Sequence, residues 1–105
     1  MRIEILTFEG CPNARTARQR VAAALAEHAQ QAELIDIEVT SSEAAQLQRF
    51  LGSPSVRING LDVEPGADAR EAYGLMCRTY YSNDAVEGAP TVKMICAAIR
   101  RALDR

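Results

Sequence analysis

Hydrophobic and polar positions along the chain fall into short, clearly bounded blocks. Ile3-Glu4-Ile5-Leu6-Thr7-Phe8 is a mostly apolar, β-rich run closed by Glu9-Gly10, and it predicts a buried strand. From Pro12 to about Gln30 the apolar positions Ala14, Ala17, Val21, Ala24 and Leu25 recur at helical spacing, with Arg15, Gln19 and Arg20 off the stripe. Pro12 suits the first helical position, where its missing N–H costs nothing. Leu34 to Val39 alternates and predicts a second strand. Thr40-Ser41-Ser42-Glu43 then reads as an S/T-x-x-E box opening a helix through Ala44, Leu47, Phe50 and Leu51, which ends at Gly52. Ser53 to Ile58 and Leu61 to Val63 are two apolar runs separated by Asn59-Gly60. That pair is the strongest short-range hairpin signal, because a tight turn there needs φ > 0.

Residues 64–90 are less regular. Pro65-Gly66 breaks the strand, Ala67 to Tyr73 suits a helical turn and Met76 to Tyr81 a short extended piece. The last element is well marked. Thr91 caps a helix with Val92, Ile95, Cys96, Ile99 and Leu103 on one stripe and Arg100, Arg101 and Arg105 near its C-terminus. The predicted order is β-α-β-α-β-β-α. Strands alternating with helices pair in parallel and a hairpin adds an antiparallel pair, so the expectation is an α/β fold: a mixed four-stranded sheet with helices on both faces.

Composition narrows the possibilities. A chain of 105 residues makes one domain, and 48% hydrophobic content can fill one core. With 12 basic and 14 acidic residues there is no basic field to hold a phosphate backbone, so no nucleic-acid partner is expected. No apolar run approaches the roughly 20 residues of a membrane helix, and Glu4 interrupts the stretch where a secretory signal would be apolar. These features predict a cytoplasmic protein without a membrane partner.

Three cysteines, Cys11, Cys77 and Cys96, are too few and too widely spaced for a disulfide framework or a paired-cysteine zinc site. Cys96 belongs to the last helix's apolar stripe and is expected in the core. Cys11 sits at a strand-to-helix turn. There, uncommitted N–H groups and the positive end of the helix dipole favour a thiolate, with Arg15 one turn on as a second source of positive charge. Its alternative is a buried structural cysteine at a strand end. Cys77 lies in the irregular region, and its alternatives are a packing cysteine under a loop or a partner for Cys11 in a disulfide or a shared metal site. His28, the only histidine, lies roughly 25 Å from Cys11 along a continuous helix, which excludes a Cys–His pair. Asp62 and Glu64 alternate on a strand and read as solvated. Tyr73, Tyr80 and Tyr81 cluster near Cys77 and read as cover for the sheet edge.

The element order, with Gly10-Cys11-Pro12-Asn13-Ala14 after the first strand and Ser53-Pro54-Ser55 before the third, resembles the thioredoxin superfamily, and most of all its small glutaredoxin-like bacterial members. The segment Tyr73 to Tyr80 also looks like a feature of small thioredoxin-like proteins. The resemblance implies a cis Pro54 facing Cys11, and a binding surface built from Pro12, Asn13, Arg15, Ser53 and Pro54. Dithiol members carry Cys-x-x-Cys, whereas Ala14 stands at the second position here, so a two-thiol cycle within the motif is impossible. The resemblance therefore implies monothiol chemistry on Cys11, with protein or low-molecular-weight thiols as partners and no cofactor or resident metal. A binding module that uses the groove around Pro54 is the alternative. A third reading is thiophilic-metal handling by Cys11 and Cys77, which carries a remote similarity to organomercurial lyases.

Overall fold

The computed structural model describes residues 1–83 and 85–104, so Arg105 lies outside the described residues. The central sheet has the order β2-β1-β3-β4, formed by β1 (Arg2–Thr7), β2 (Glu33–Glu38), β3 (Ser55–Ile58) and β4 (Leu61–Asp62). β1 pairs in parallel with β2 and antiparallel with β3, which pairs antiparallel with β4. The mixed four-stranded sheet is as expected.

The pleat of β1 divides the core. Ile3 and Ile5 face one side, with Val21, Ala24 and Leu25 of α1 (Ala14–Glu27) and Ile95, Cys96 and Ile99 of α3 (Val92–Leu103). Leu6 faces the other side, with Val39, Phe50 and Ala45 of α2 (Ser42–Leu47). Helices thus cover both faces. The β3–β4 turn places Asn59 and Gly60 at φ 51° and 86°, as an Asn-Gly hairpin requires. Thr91 caps α3, its hydroxyl accepting from the Met94 N–H at 3.1 Å. Cys96 is buried, and its Sγ–H donates to Glu27 at 3.2 Å. Burial first, and then Glu27, push its thiol pKa up. No helix among the described residues is long and apolar enough to cross a membrane.

Several boundaries differ from expectation. α1 begins at Ala14 with Asn13 as its N-cap, so Pro12 precedes the helix, exposed in the turn, and does not open it. Gly10 at φ 81° and the Cys11 N–H donated to the Phe8 carbonyl use those residues for a tight turn first. α1 stops at Glu27 without a glycine. Ala29 takes φ 49° and its N–H donates to Ala26, while Gln30 donates to Leu25, which is a Schellman closure. α2 closes the same way through Arg49 at φ 55°, leaving Phe50 and Leu51 beyond the helix. Its cap is Ser41, whose hydroxyl accepts from Ala44, and not Thr40. Arg20, off the apolar stripe, is only partly exposed. It ion-pairs with Glu87 at 2.9 Å and donates to the Ala89 carbonyl, tying α1 to the chain before α3. The irregular region contains a 3₁₀ turn (Ala67–Ala69) and a small hairpin, β5 (Tyr80–Ser82) with β6 (Ala85–Glu87), of which only the first strand's neighbourhood was expected to be extended.

Candidate functional site

Cys11 sits just past the C-terminal end of β1, half-buried. Its N–H is bound to the Phe8 carbonyl at 3.2 Å, and its carbonyl accepts from Ala14 at 3.4 Å. With Glu9, Arg18, Asp36 and Glu38 it lines an open hollow between α1 and β2. The cation in that hollow is Arg18, whose Nε lies 2.9 Å from Asp36; Arg15 is exposed and is not among the lining residues. Three carboxylates against one guanidinium make the mouth of the Cys11 hollow acidic. The Asn13 side chain packs against Gly88, so close that any Cβ at position 88 would collide with its carboxamide. Asn13 therefore braces the start of α1 against the approach to α3.

Phe8 connects Cys11 to the second part of the site. Its N–H donates to the Ser53 hydroxyl at 3.2 Å. The Ser53–Pro54 peptide is cis, and both residues are buried. The Ser53 backbone is fully engaged by the chain itself: its N–H donates to Met76 at 2.8 Å and its carbonyl accepts from Arg78 at 3.0 Å. Residues 76–78 therefore run beside Ser53 as a strap, with Cys77 bridged to Ser53. Cys77 is exposed, so it is not a cysteine packed under a loop. Ser53 is thus bound both to the strap that carries Cys77 and, through Phe8, to the turn that carries Cys11. Cys11, Cys77 and Cys96 are all free thiols.

The strap alternates in register, with Cys77 and Thr79 outward and Arg78 and Tyr80 inward. Arg78 is 4% exposed and grips Asp62 in a two-pronged ion pair of 2.7 and 2.9 Å. It also donates to Glu64 at 3.0 Å and to the Ser55 hydroxyl at 2.9 Å. Asp62 is consequently buried, contrary to its reading as a solvated acid, and Glu64 is drawn in beside it. The cause is a cation arriving from a strap that local pattern does not connect to β4. Burial by itself would lower the Arg78 pKa, but the hydrogen bonds to Asp62 and the neighbouring Tyr80, Asp62 and Glu64 raise it overall. Sequence reasoning missed Arg78. The only signal was the period-2 pattern of Cys77 to Tyr80, which places an arginine on the inward face.

The three tyrosines do not act together. Tyr81 is exposed, Tyr73 pairs with Arg49, and Tyr80 is wholly buried beneath the Arg78 guanidinium, 4.5 Å from its ring. The Tyr80 hydroxyl donates to the Pro54 carbonyl at 2.6 Å. Burial holds its phenol well above the ordinary value of about 10, outweighing the opposing pull of Arg78. Folded protein therefore keeps a proton that the unfolded chain loses. The stability contribution is complete below pH ~10 and falls as pH rises beyond it. We expect the melting temperature to decline above that pH, and Tyr80→Phe to flatten the decline while costing about 1 kcal/mol at neutral pH. Thermal melts of both proteins between neutrality and strongly alkaline pH check this, and equal slopes would refute it.

Among the described residues no group of three or more His, Cys, Asp or Glu side chains is arranged to hold a metal ion. In comparisons with known proteins, no family model, no curated protein and no solved structure matches the chain.

Proposed function

We propose that the chain is a thioredoxin-like thiol-redox domain of the cytoplasm, with Cys11 as nucleophile and Cys77 as a second thiol. The observation that carries this reading is the linkage of both non-core cysteines to Ser53. Cys11 is joined through the Phe8 turn and Cys77 through the strap. The strand order β2-β1-β3-β4, with Cys11 at the β1–α1 turn and a cis proline ahead of β3, supports the thioredoxin-like assignment. The Cys11 thiolate attacks one sulfur of a protein or low-molecular-weight disulfide. A mixed disulfide forms on Cys11, and the other half leaves as a thiolate that takes a proton from solvent. A further thiol, either an external one or Cys77, then releases Cys11.

The acidic mouth sets a preference among substrates. A disulfide carrying ammonium groups is attracted and an anionic one repelled, an effect that salt screens. The expected result is faster mixed-disulfide formation with cystamine than with dithiodiglycolate, converging at high ionic strength, and loss of this charge-dependent adduct in Cys11→Ser, where the exposed Cys77 is the remaining thiol outside the core. Mass spectrometry of acid-quenched samples reads each step. Equal modification of Cys11→Ser and the unaltered protein at matched sites would end the proposal.

A binding module is the second reading. It is favoured by the exposed Leu75, which with Phe8, Val39 and Thr40 lines a hollow, and by the exposure of Met76, its neighbour in sequence. It is weakened around Pro54, where the side chain is buried and the strap already occupies the Ser53 backbone. Inertness of Cys11 toward every disulfide charge type would move this reading into first place.

A further inference from the structure

A buried ion pair is an uneconomical way to stabilise a 105-residue domain, because apolar side chains of similar volume do as well or better. The Arg78–Asp62 pair is buried on both sides, its side chains 3% and 4% exposed. Its position is more informative than its energy. Arg78 immediately follows Cys77, and a strand turns successive side chains to opposite faces. Drawing Arg78 inward onto Asp62 therefore turns Cys77 outward. The two residues flanking Cys77, Met76 and Arg78, are also the two whose backbones grip Ser53. The guanidinium is held further by Ser55, the residue after Pro54, and it lies over Tyr80, whose hydroxyl is bound to Pro54. The backbone bonds of the strap to Ser53, and the contacts of Arg78 and Tyr80 with Ser55 and Pro54, thus meet on the Ser53–Ser55 segment, while Asp62 and Glu64 hold the guanidinium from the β4 side; Ser53 is the residue tied to the Cys11 turn.

We infer that Arg78 and Asp62 are positioning residues, which hold Cys77 outward beside Ser53 so that it can exchange with a mixed disulfide on Cys11. This rests on the thiol-redox reading of Cys11. In the step concerned, the Cys77 thiol first gives its proton to solvent. Its thiolate attacks the Cys11 sulfur, the Cys11–Cys77 bond forms, and the bond from Cys11 to the incoming group breaks. That group leaves as a thiolate and is protonated by solvent. The incoming disulfide is the oxidant and is reduced to two thiols, while the two cysteines become one disulfide.

The test follows two rates after mixing the full chain with cystamine: formation of the Cys11 mixed disulfide, and its closure onto Cys77. The double variant Asp62→Leu/Arg78→Met replaces the pair by apolar side chains, a change expected to leave the core folded. We expect its first rate to match wild type and its closure to slow by about tenfold or more, since small misplacements of reacting groups are costly. Arg78→Lys keeps the charge but loses the two-pronged grip, and is expected to fall between. It supplies the same comparison if the double variant does not fold. Closure at the wild-type rate in either folded variant would overturn the inference. A wild-type mixed disulfide that never closes onto Cys77 would also overturn it, leaving the Cys11 chemistry intact. Absence of any mixed disulfide on wild-type Cys11 would instead sink the underlying functional reading.

Discussion

Asp62→Ala is expected to lower stability by about 3–5 kcal/mol, because it strands a buried cation. Arg78 does not escape by losing its proton, since guanidinium stays charged under all conditions in which the protein folds. Glu64 at 3.0 Å remains as a partial partner, which sets the lower end of the range. Domains of this size hold only about 5–15 kcal/mol in total, so the loss is a large share of the whole. At roughly 4–8 °C per kcal/mol, the melting temperature should fall by about 12 °C or more. The variant Asp62→Leu/Arg78→Met removes both charges together and should retain most of the wild-type stability. A calorimetric melt of the two variants separates a penalty for breaking the pair from the value of the pair itself. Should Asp62→Ala melt within a few degrees of wild type, the ion pair is not the fastening described above.

The contrast between legible and illegible parts of this chain follows the range of the interactions. Asn59-Gly60 was readable because a φ > 0 turn is a property of two adjacent residues, and the hairpin it dictates fixes the β3–β4 register. The stripe of α3 was readable from spacing within one helix, including the burial of Ile95, Cys96 and Ile99, but it overran at its end, where Leu103 is exposed in the last turn. The ends of α1 and α2 were not, because their left-handed closing residues are Ala29 and Arg49 instead of glycine. The candidate site was half legible. Cys11 was placed by the local pattern of strand, Gly and Pro. The Arg78–Asp62 pairing was not, since the two residues are distant in sequence and Asp62 taken alone reads as solvated. The exposure of Cys77 follows from that pairing, so it was hidden for the same reason.

Gly52→Ala tests the strap from its other side and is expected to cost about 2–6 kcal/mol. Gly52 has φ 118°, which L-residues rarely adopt, and such strain is worth roughly 1–3 kcal/mol. A Cβ there would also stand 3.0 Å from the Arg78 Cβ and 3.1 Å from the Met76 carbonyl oxygen. Neither neighbour is free to yield. The Met76 carbonyl is held by the Ser53 N–H at 2.8 Å, and Arg78 is anchored through its guanidinium. Overpacking of this kind adds about 1–3 kcal/mol. Gly66→Ala is the matched control: φ is 81°, but nothing lies within 4 Å of its Cβ, so it carries backbone strain without collision. The larger drop in melting temperature should belong to Gly52→Ala. Hydrogen exchange should localise the damage, with faster exchange at the Ser53 and Arg78 amides that join the strap to the Pro54 loop. If the two glycine variants melt together, or those amides stay protected, the strap is not packed against Gly52 as tightly as the geometry requires.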